Sequence, residues 1–338
     1  MSAAVWIVVG VVVLLAVVGC GLVLFTAWTE RQVEKSVPPL GRFVEIDGAR
    51  IHYLDTGADG AAGKRPPLLL IHGLAGQMRN FTHSLVDRLK SDYRVVVLDR
   101  PGSGYSSRPA DAAATIRAQA ETVARFAKAI GLERPLVVGH SLGGAIALAL
   151  ALDHPDRVAG LALLAPATQH PKRVPPPFGR LDIASPLIRH AVAWTLATPF
   201  AIYNRDIVLG TLFGPQPVPR DFATKGGGFL ILRPSAFIGA SRDLVESRRT
   251  IDDVTARYGS LRLPLGILYG ADDRVLDPMV QGETLAALVP SAYYEVVEGG
   301  GHMILVASAD RCAAFIGRMA ERVAAAAAFG PDAEIAAP

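Results

Sequence analysis

Hydrophobic positions follow three patterns along the chain, and each pattern predicts a different kind of structure. From Ala3 to Trp28 the residues are apolar or small, and none carries a charge. Further along, short apolar runs alternate with longer helix-like stretches. Because a strand covered on both faces is apolar throughout, this alternation predicts buried parallel strands linked by helices. Between residues 169 and 258 a proline-rich stretch interrupts the alternation.

The first apolar segment is long enough to cross a lipid bilayer as one helix. Residues 3–28 would extend over roughly 39 Å, against about 30 Å for the hydrocarbon core. Trp6 and Trp28 stand near its ends, as aromatic side chains do at membrane interfaces. A cleaved signal peptide, or a lipobox ending at Cys20, would follow a basic start, and no Lys or Arg precedes this segment. The sequence therefore predicts an uncleaved single-pass anchor, with a processed signal and a lipidated Cys20 as alternatives.

Basic residues just after this segment bear on its orientation in a membrane. Arg31, Lys35 and Arg42 follow the apolar run, and basic residues accumulate on the cytoplasmic side of a membrane span. This pattern favours a cytoplasmic catalytic domain, although the sequence leaves the membrane face open.

The rest of the chain divides into a core and an insertion. Residues 29–42, which contain Pro38 and Pro39, are expected to form a linker. Phe43–Ile46 and Arg50–Leu54 alternate around a turn and predict a hairpin. Buried strands are expected at residues 68–71, 95–98, 136–138, 161–164, 265–269 and 293–297, and a C-terminal helix at about 305–327.

Residues 169–258 are expected to form a helical cap over the sheet. They contain pieces of amphipathic helix, such as 187–196, but no strand–helix rhythm, and their apolar content argues against a disordered insertion. The predicted organisation is an anchor at 3–28, a linker at 29–42, a core formed by 43–168 and 259–327, the cap at 169–258, and a tail at 328–338.

Composition excludes several classes of protein. With 51% hydrophobic residues in 338, the chain is too apolar to be disordered. Its 34 basic and 31 acidic side chains leave a net charge of only +3, without the basic stripe of a nucleic-acid binder. Cys20 and Cys312 are too few for a disulfide framework or a cysteine metal site. The metalloprotease, Walker and dinucleotide motifs are absent from the sequence, so neither metal nor cofactor is expected.

A serine with the surroundings of a nucleophile follows the predicted strand at 136–138. Gly139-His140-Ser141-Leu142-Gly143 has the spacing G-x-S-x-G and opens into a good helix-forming stretch. A sharp turn between strand and helix presents such a serine above the sheet edge, and its glycines leave room for the turn. A serine hydroxyl also needs a base, and a group that orients the base.

Both partners follow later in the chain. Asp272 and Asp273 come directly after the predicted strand at 265–269, and His302 follows the next strand in a run of glycines. The carboxyl ends of parallel strands are where ligands gather in an α/β sheet. The order Ser…Asp…His is the one used by α/β-hydrolases.

With these motifs the chain resembles the α/β-hydrolase superfamily of lid-bearing serine hydrolases, esterases and lipases among them, over about residues 43–320. The matching segments are 70–76 (LIHGLAG), 98–106 (LDRPGSGYS), the turn at Ser141, the acid loop and Gly301-His302. The resemblance implies a mostly parallel central sheet flanked by helices, with an inserted helical cap. It also implies the roles of the site residues: Ser141 as nucleophile, His302 as base, Asp273 as the orienting acid with Asp272 as the alternative, and the N–H groups of Leu74 and Leu142 as the oxyanion hole.

The remaining histidines and acids are expected to play structural parts. His72 should bond backbone, His140 should point away from the serine, and Asp277 should cap the following helix. His52, His83, His154, His170 and His190 have no partner motif and are expected at the surface or in caps.

The resemblance implies a serine hydrolase that cleaves carboxylic esters through an acyl-enzyme, and the predicted anchor would attach it to a membrane. The apolar cap and the anchor favour a lipophilic acyl ester, although substrate and oligomeric state stay open. Serine at position 141 disfavours epoxide hydrolases and haloalkane dehalogenases, which use an aspartate nucleophile. Carbon–carbon bond hydrolases and cofactor-free perhydrolases keep the same triad and remain alternatives, as does a non-catalytic ligand-binding protein of this fold.

Overall fold

An eight-stranded sheet forms the centre of the computed structural model, which describes residues 2–57, 65–170 and 176–329. Its strands are β1 (Arg42–Ile46), β2 (Ala49–Asp55), β3 (Leu68–Ile71), β4 (Val95–Leu98), β5 (Leu136–His140), β6 (Gly160–Leu164), β7 (Leu265–Gly270) and β8 (Tyr293–Val297). They lie in the order β1-β2-β4-β3-β5-β6-β7-β8, and every neighbouring pair is parallel except β1–β2 and β2–β4. The predicted mostly parallel sheet is therefore confirmed.

The register of the central strands brings two pairs of loops together at one edge of the sheet. Ile71 of β3 pairs with Gly139 of β5, so the loops after these strands are neighbours. Gly270 of β7 pairs with Val297 of β8, which does the same for the loops that follow them. Strands β3 to β7 are buried at every position, as expected for apolar runs covered on both faces.

The helices outside the cap precede or follow it along the chain. They are α1 (Ala3–Ser36), α2 (Arg79–Thr82), α3 (Leu85–Leu89), α4 (Ile116–Ala129), α5 (Leu142–Asp153), α11 (Thr284–Leu288), α12 (Ile304–Ala307) and α13 (Ala309–Phe329). Helix α5 packs against β5 and α4, and α13 packs against β6 and α3. The C-terminal helix predicted at 305–327 is present as α12 and α13, and residues 330–338 of the predicted tail lie outside the described residues.

Among the described residues, five further α-helices lie between β6 and β7. They are α6 (Pro176–Gly179), α7 (Pro186–Thr195), α8 (Ala197–Tyr203), α9 (Arg205–Phe213) and α10 (Pro234–Thr255). Ser185 caps α7 by accepting a hydrogen bond from the Ile188 N–H, and Pro186 occupies its first turn, where no N–H is needed. Helix α10 packs against α7 and also against α4 and α5, so it joins this cap to the core.

The N-terminal apolar segment forms one helix that is longer than predicted. Residues 29–36, expected to be linker, continue α1 as far as Ser36. The reason is tertiary packing, because Val33 and Val37 are buried against Leu230 of the cap. Residues 2–25 bury no side chain. Among the described residues α1 is the one helix long and apolar enough to cross a membrane.

Candidate active site

Ser141 stands on the sharp turn between β5 and α5. Its φ of 53° and ψ of −123° lie in a region that residues with a side chain rarely adopt. The turn is so tight that a β-carbon on Gly139 would lie 2.6 Å from the carbonyl oxygen of Gly143, and one on Gly143 would collide with the backbone of Ile71. The flanking glycines are therefore a steric requirement of the turn that presents the serine.

Asp273 and His302 meet on the neighbouring pair of loops. The His302 Nδ1 lies 2.7 Å from the Asp273 Oδ2, and both side chains are almost completely buried. The other carboxylate oxygen, Oδ1, accepts hydrogen bonds from the N–H groups of Val275 (2.7 Å) and Leu276 (2.9 Å). These bonds fix the carboxylate, and the carboxylate in turn fixes the imidazole ring with its Nε2 as the remaining ring nitrogen.

The structure gives different surroundings to the two adjacent acids, of which the resemblance implies Asp273 as the orienting residue and Asp272 as the alternative. Asp272 is exposed, and its backbone N–H donates to the carbonyl of Gly300, whereas Asp273 contacts His302. Asp277 caps the helical turn after it, because its Oδ1 accepts from the N–H of Met279 at 3.0 Å. The expected capping role of Asp277 is confirmed.

One cavity of about 600 Å³ is lined by four of the candidate residues, Ser141, His302, Leu74 and Leu142. Leu142 is the first residue of α5, and Leu74 lies in the loop after β3. In the described part of the chain neither of their N–H groups donates to an acceptor. Two free backbone donors beside a serine are the arrangement that can bind a developing oxyanion.

The cap supplies most of the apolar lining of this cavity. Leu209 and Leu212 of α9, together with Phe222, Phe229 and Ile251, face it. Its volume falls in the range of small-molecule sites, which are lined mainly by apolar side chains. Sequence reasoning predicted an apolar cap but assigned none of these residues to a cavity, since no local motif marks a residue that lines one.

Two buried histidines flank the site, and a ring nitrogen of each lies within hydrogen-bond distance of a backbone carbonyl. Burial, with a further contribution from the charge of Arg100, lowers the pKa of His72 to about 3, so its ring is neutral. Its Nδ1 lies 2.9 Å from the carbonyl oxygen of Gly73, as expected for a histidine that bonds backbone. The His140 Nε2 lies 3.0 Å from the carbonyl oxygen of His302, and burial holds the pKa of His140 well below its usual range.

One expectation about the other histidines is wrong. His52, expected at the surface or in a cap, is buried, and its Nδ1 lies 2.7 Å from the Asp99 Oδ2. Asp99 also accepts from the N–H groups of Met78 and Tyr105. His52 is on β2 between Ile51 and Tyr53, which are also buried, so both faces of the strand are covered at this point. Because successive side chains of a strand point to opposite faces, alternation around a buried Ile51 predicts an exposed His52, and no local signal in the sequence marks its burial.

Comparison with known proteins agrees with this architecture. A family model described as "alpha/beta hydrolase fold" matches residues 66–201. A 2-hydroxy-6-oxononadienedioate/2-hydroxy-6-oxononatrienedioate hydrolase of Paraburkholderia phymatum is 27% identical over 84% of this chain and 94% of its own length. The crystal structure of a membrane phospholipase A, described as a bacterial virulence factor, is 28% identical with a TM-score of 0.59, covering 93% of this chain and 98% of that one.

A third similarity is higher in identity but shorter. The dihydrolipoyllysine-residue acetyltransferase component of an acetoin cleaving system from Cupriavidus necator is 42% identical over 125 residues. These residues are 37% of this chain and 32% of that protein, so the chain spans about a third of that relative's length.

Proposed function

We propose that this chain, which has the α/β-hydrolase fold, is a serine hydrolase that cleaves carboxylic esters through an acyl-enzyme on Ser141. The observation that carries the proposal is the Asp273–His302 hydrogen bond of 2.7 Å at the wall of the cavity that Ser141 also lines. A serine needs such an oriented base, because its hydroxyl is a poor nucleophile by itself.

The proposed reaction divides into two steps that use the same residues. First, the Ser141 Oγ attacks the ester carbonyl while His302 Nε2 takes the hydroxyl proton, and Asp273 stabilises the resulting imidazolium. The N–H groups of Leu74 and Leu142 bind the oxyanion. His302 then gives the proton to the departing alcohol. In the second step His302 activates a water, which attacks the acyl-enzyme and releases the carboxylic acid and Ser141.

A lipophilic acyl ester is the substrate class that the cavity favours. Its wall is largely apolar, so an acyl chain would be transferred from water into an apolar environment. The similarity to a membrane phospholipase A supports the same class of substrate. Under this proposal the cap selects the acyl chain, and the core performs the chemistry.

Attachment to a membrane is part of the same proposal. Residues 3–28 would serve as a single-pass anchor, since the described part of this segment is apolar and buries no side chain before Thr26. The end of α1 that does bury side chains packs against α7 and α8 of the cap. The cap would therefore lie close to the membrane surface, where lipophilic esters are found.

Carbon–carbon bond hydrolysis is the second candidate function. It is favoured by the similarity to a 2-hydroxy-6-oxononadienedioate hydrolase over 84% of this chain. Such a reaction would use the same serine and histidine, so the arrangement around Ser141 does not separate it from ester hydrolysis.

The substrate class is tested by comparing two reactions with the full chain in detergent micelles. We expect turnover of a p-nitrophenyl ester series, with rates that rise with acyl length, and no turnover of a vinylogous diketone. The Ser141→Ala variant should lose ester turnover and labelling by a fluorophosphonate probe. Cleavage of the diketone alone would replace the ester proposal by the second candidate, and ester turnover that survives Ser141→Ala would overturn the mechanism.

A further inference from the structure

A fully buried arginine connects the cap to the loop that carries Leu74. Arg100 follows β4, and its guanidinium donates from Nε to the carbonyl of His72 (2.9 Å) and from Nη2 to the carbonyl of Gly73 (2.9 Å). Its Nη1 donates to the Oδ2 of Asp243, 2.6 Å away on helix α10 of the cap. A planar guanidinium can hold several acceptors in a fixed geometry, which a lysine cannot do.

The bond to Gly73 determines where the Leu74 N–H points. The Gly73 carbonyl and the Leu74 N–H belong to one planar trans peptide unit, in which C=O and N–H point in opposite directions. Holding the carbonyl oxygen against Arg100 therefore turns the N–H away from Arg100, and Leu74 lies on the wall of the cavity beside Ser141. Hydrogen bonds at the carbonyl also polarise the amide and strengthen its N–H as a donor.

His72 adds a second donor to the same carbonyl. The backbone N–H of Arg100 donates to the His72 Nε2 at 2.9 Å, so this nitrogen carries no proton. The proton of the neutral ring is then on Nδ1, which donates to the Gly73 carbonyl at 2.9 Å. Both side chains of this clamp, Arg100 and His72, are buried and have no access to substrate.

Asp243 makes the clamp depend on the cap. A buried guanidinium is unfavourable without a counter-charge, and Asp243 is completely buried between Arg100 and Arg108. Burial alone would raise the pKa of Asp243, but Arg108 and Arg100 together hold it below its usual value, so the carboxylate stays charged. Arg108 contacts the same carboxylate and the carbonyl of Pro101, and it makes no hydrogen bond to residues 72–74.

We propose that Arg100 is a positioning residue for the oxyanion hole, and that Asp243 couples this hole to the docking of the cap. The inference rests on the proposed acyl transfer at Ser141. Arg100 touches no substrate and acts through the Gly73–Leu74 peptide.

Comparing thionoesters with oxygen esters separates a positioning role of Arg100 from a merely structural one, because a merely structural role would leave the ratio of the two rates unchanged. A thiocarbonyl sulfur accepts hydrogen bonds poorly, so a thionoester gains little from the oxyanion donors. In Arg100→Met we expect kcat for the oxygen ester to fall by about 10- to 100-fold, since loss of one such donor typically costs 10²–10³. The KM should stay within about twofold and the thionoester rate within about threefold of the wild type.

Arg108→Met is the matched control, because it removes a cation from the same buried cluster without touching the loop. We expect it to leave the ratio of oxygen-ester to thionoester rates unchanged, whatever it does to stability. Arg100→Lys, which keeps the charge but cannot serve both carbonyls, should lower the ratio as well and replaces Arg100→Met if that variant does not fold. Asp243→Asn should lower the ratio in the same direction.

If a folded Arg100 variant kept the wild-type ratio of oxygen-ester to thionoester rates, this result would overturn the clamp, even with ester turnover intact. A wild-type chain without any ester turnover would instead count against the proposed function. In that case deuterium uptake at residues 72–76 tests the clamp: faster uptake in Arg100→Met than in Arg108→Met supports it, and equal uptake overturns it.

Discussion

The two sides of the cavity are built on different principles. On the core side, the loops after strands β5, β7 and β8 carry Ser141, Asp273 and His302, and hydrogen bonds or tight backbone geometry fix these residues. On the cap side, apolar side chains line the cavity, and others project outward: Leu187 is 81% exposed and Ile207 is 64% exposed. Under the proposed function, the core performs the reaction, whereas the cap selects which molecule reaches it.

The outer surface of the cap is unusual for a chain in contact only with water. Outside α1, most of the large exposed apolar side chains lie there, in the same part of the molecule that α1 packs against. Exposed apolar clusters of this kind mark interaction surfaces. The contrast between the polar, fixed candidate site of the core and the apolar, exposed surface of the cap leads to three predictions.

The largest expected effect lies on the core side, at Asp273. Asp273→Asn keeps the shape of the side chain but removes the charge that holds the imidazolium, and we expect kcat to fall by about 10⁴-fold. Asp272→Asn is the matched control on the adjacent, exposed residue and should change kcat by less than about threefold. Steady-state ester hydrolysis at pH 7.5 measures both. If the two variants lost activity equally, Asp273 would not be the orienting acid.

A smaller effect is expected on the cap side, and only with a lipid surface. Replacing Leu187 and Ile207 by serine removes apolar area that would otherwise leave water at a membrane. We expect about tenfold slower hydrolysis of phosphatidylcholine in vesicles and unchanged hydrolysis of a short soluble ester.

Leu288→Ser is the control for the cap variants, because Leu288 is an exposed leucine on α11 of the core. It should leave both rates unchanged. A cap variant that slowed the soluble ester as strongly as the vesicle substrate would show that these side chains shape the cavity rather than meet a membrane.

The smallest effect concerns stability against acid on the core side. The pKa of His72 is about 3 in the folded protein against an ordinary 6.5, so the unfolded chain binds the extra proton between these values. The contribution of the neutral His72 ring to the free energy of unfolding is therefore largest above pH 6.5, and it declines as the pH falls towards 3. Between pH 7.5 and 6 this residue alone should remove about 0.8 kcal/mol from the free energy of unfolding.

Urea unfolding at several pH values measures this slope. His72→Gln should flatten it, whereas His190→Gln, which replaces an exposed ring on α7, should leave it unchanged. A wild-type stability that does not decline between pH 7.5 and 6 would contradict the neutral, buried state of His72.

The core was far more predictable from the sequence than the cap and its contacts. Strands such as Val95–Leu98 were predicted to the residue, because a strand buried on both faces leaves an uninterrupted apolar run. The extension of α1 to Ser36 was missed, since packing against Leu230 decides it. The Arg100–Asp243 pair joins residues 143 positions apart, and no local pattern records such a contact.

The covalent bond that the proposed mechanism requires can be located on the chain. The full chain is treated with a fluorophosphonate until ester hydrolysis stops, digested, and analysed by tandem mass spectrometry. We expect one phosphonyl group per chain on the peptide that contains Ser141, with its mass increment on that serine. Complete inhibition with an unmodified Ser141, or with the group on another residue, would contradict the proposed mechanism.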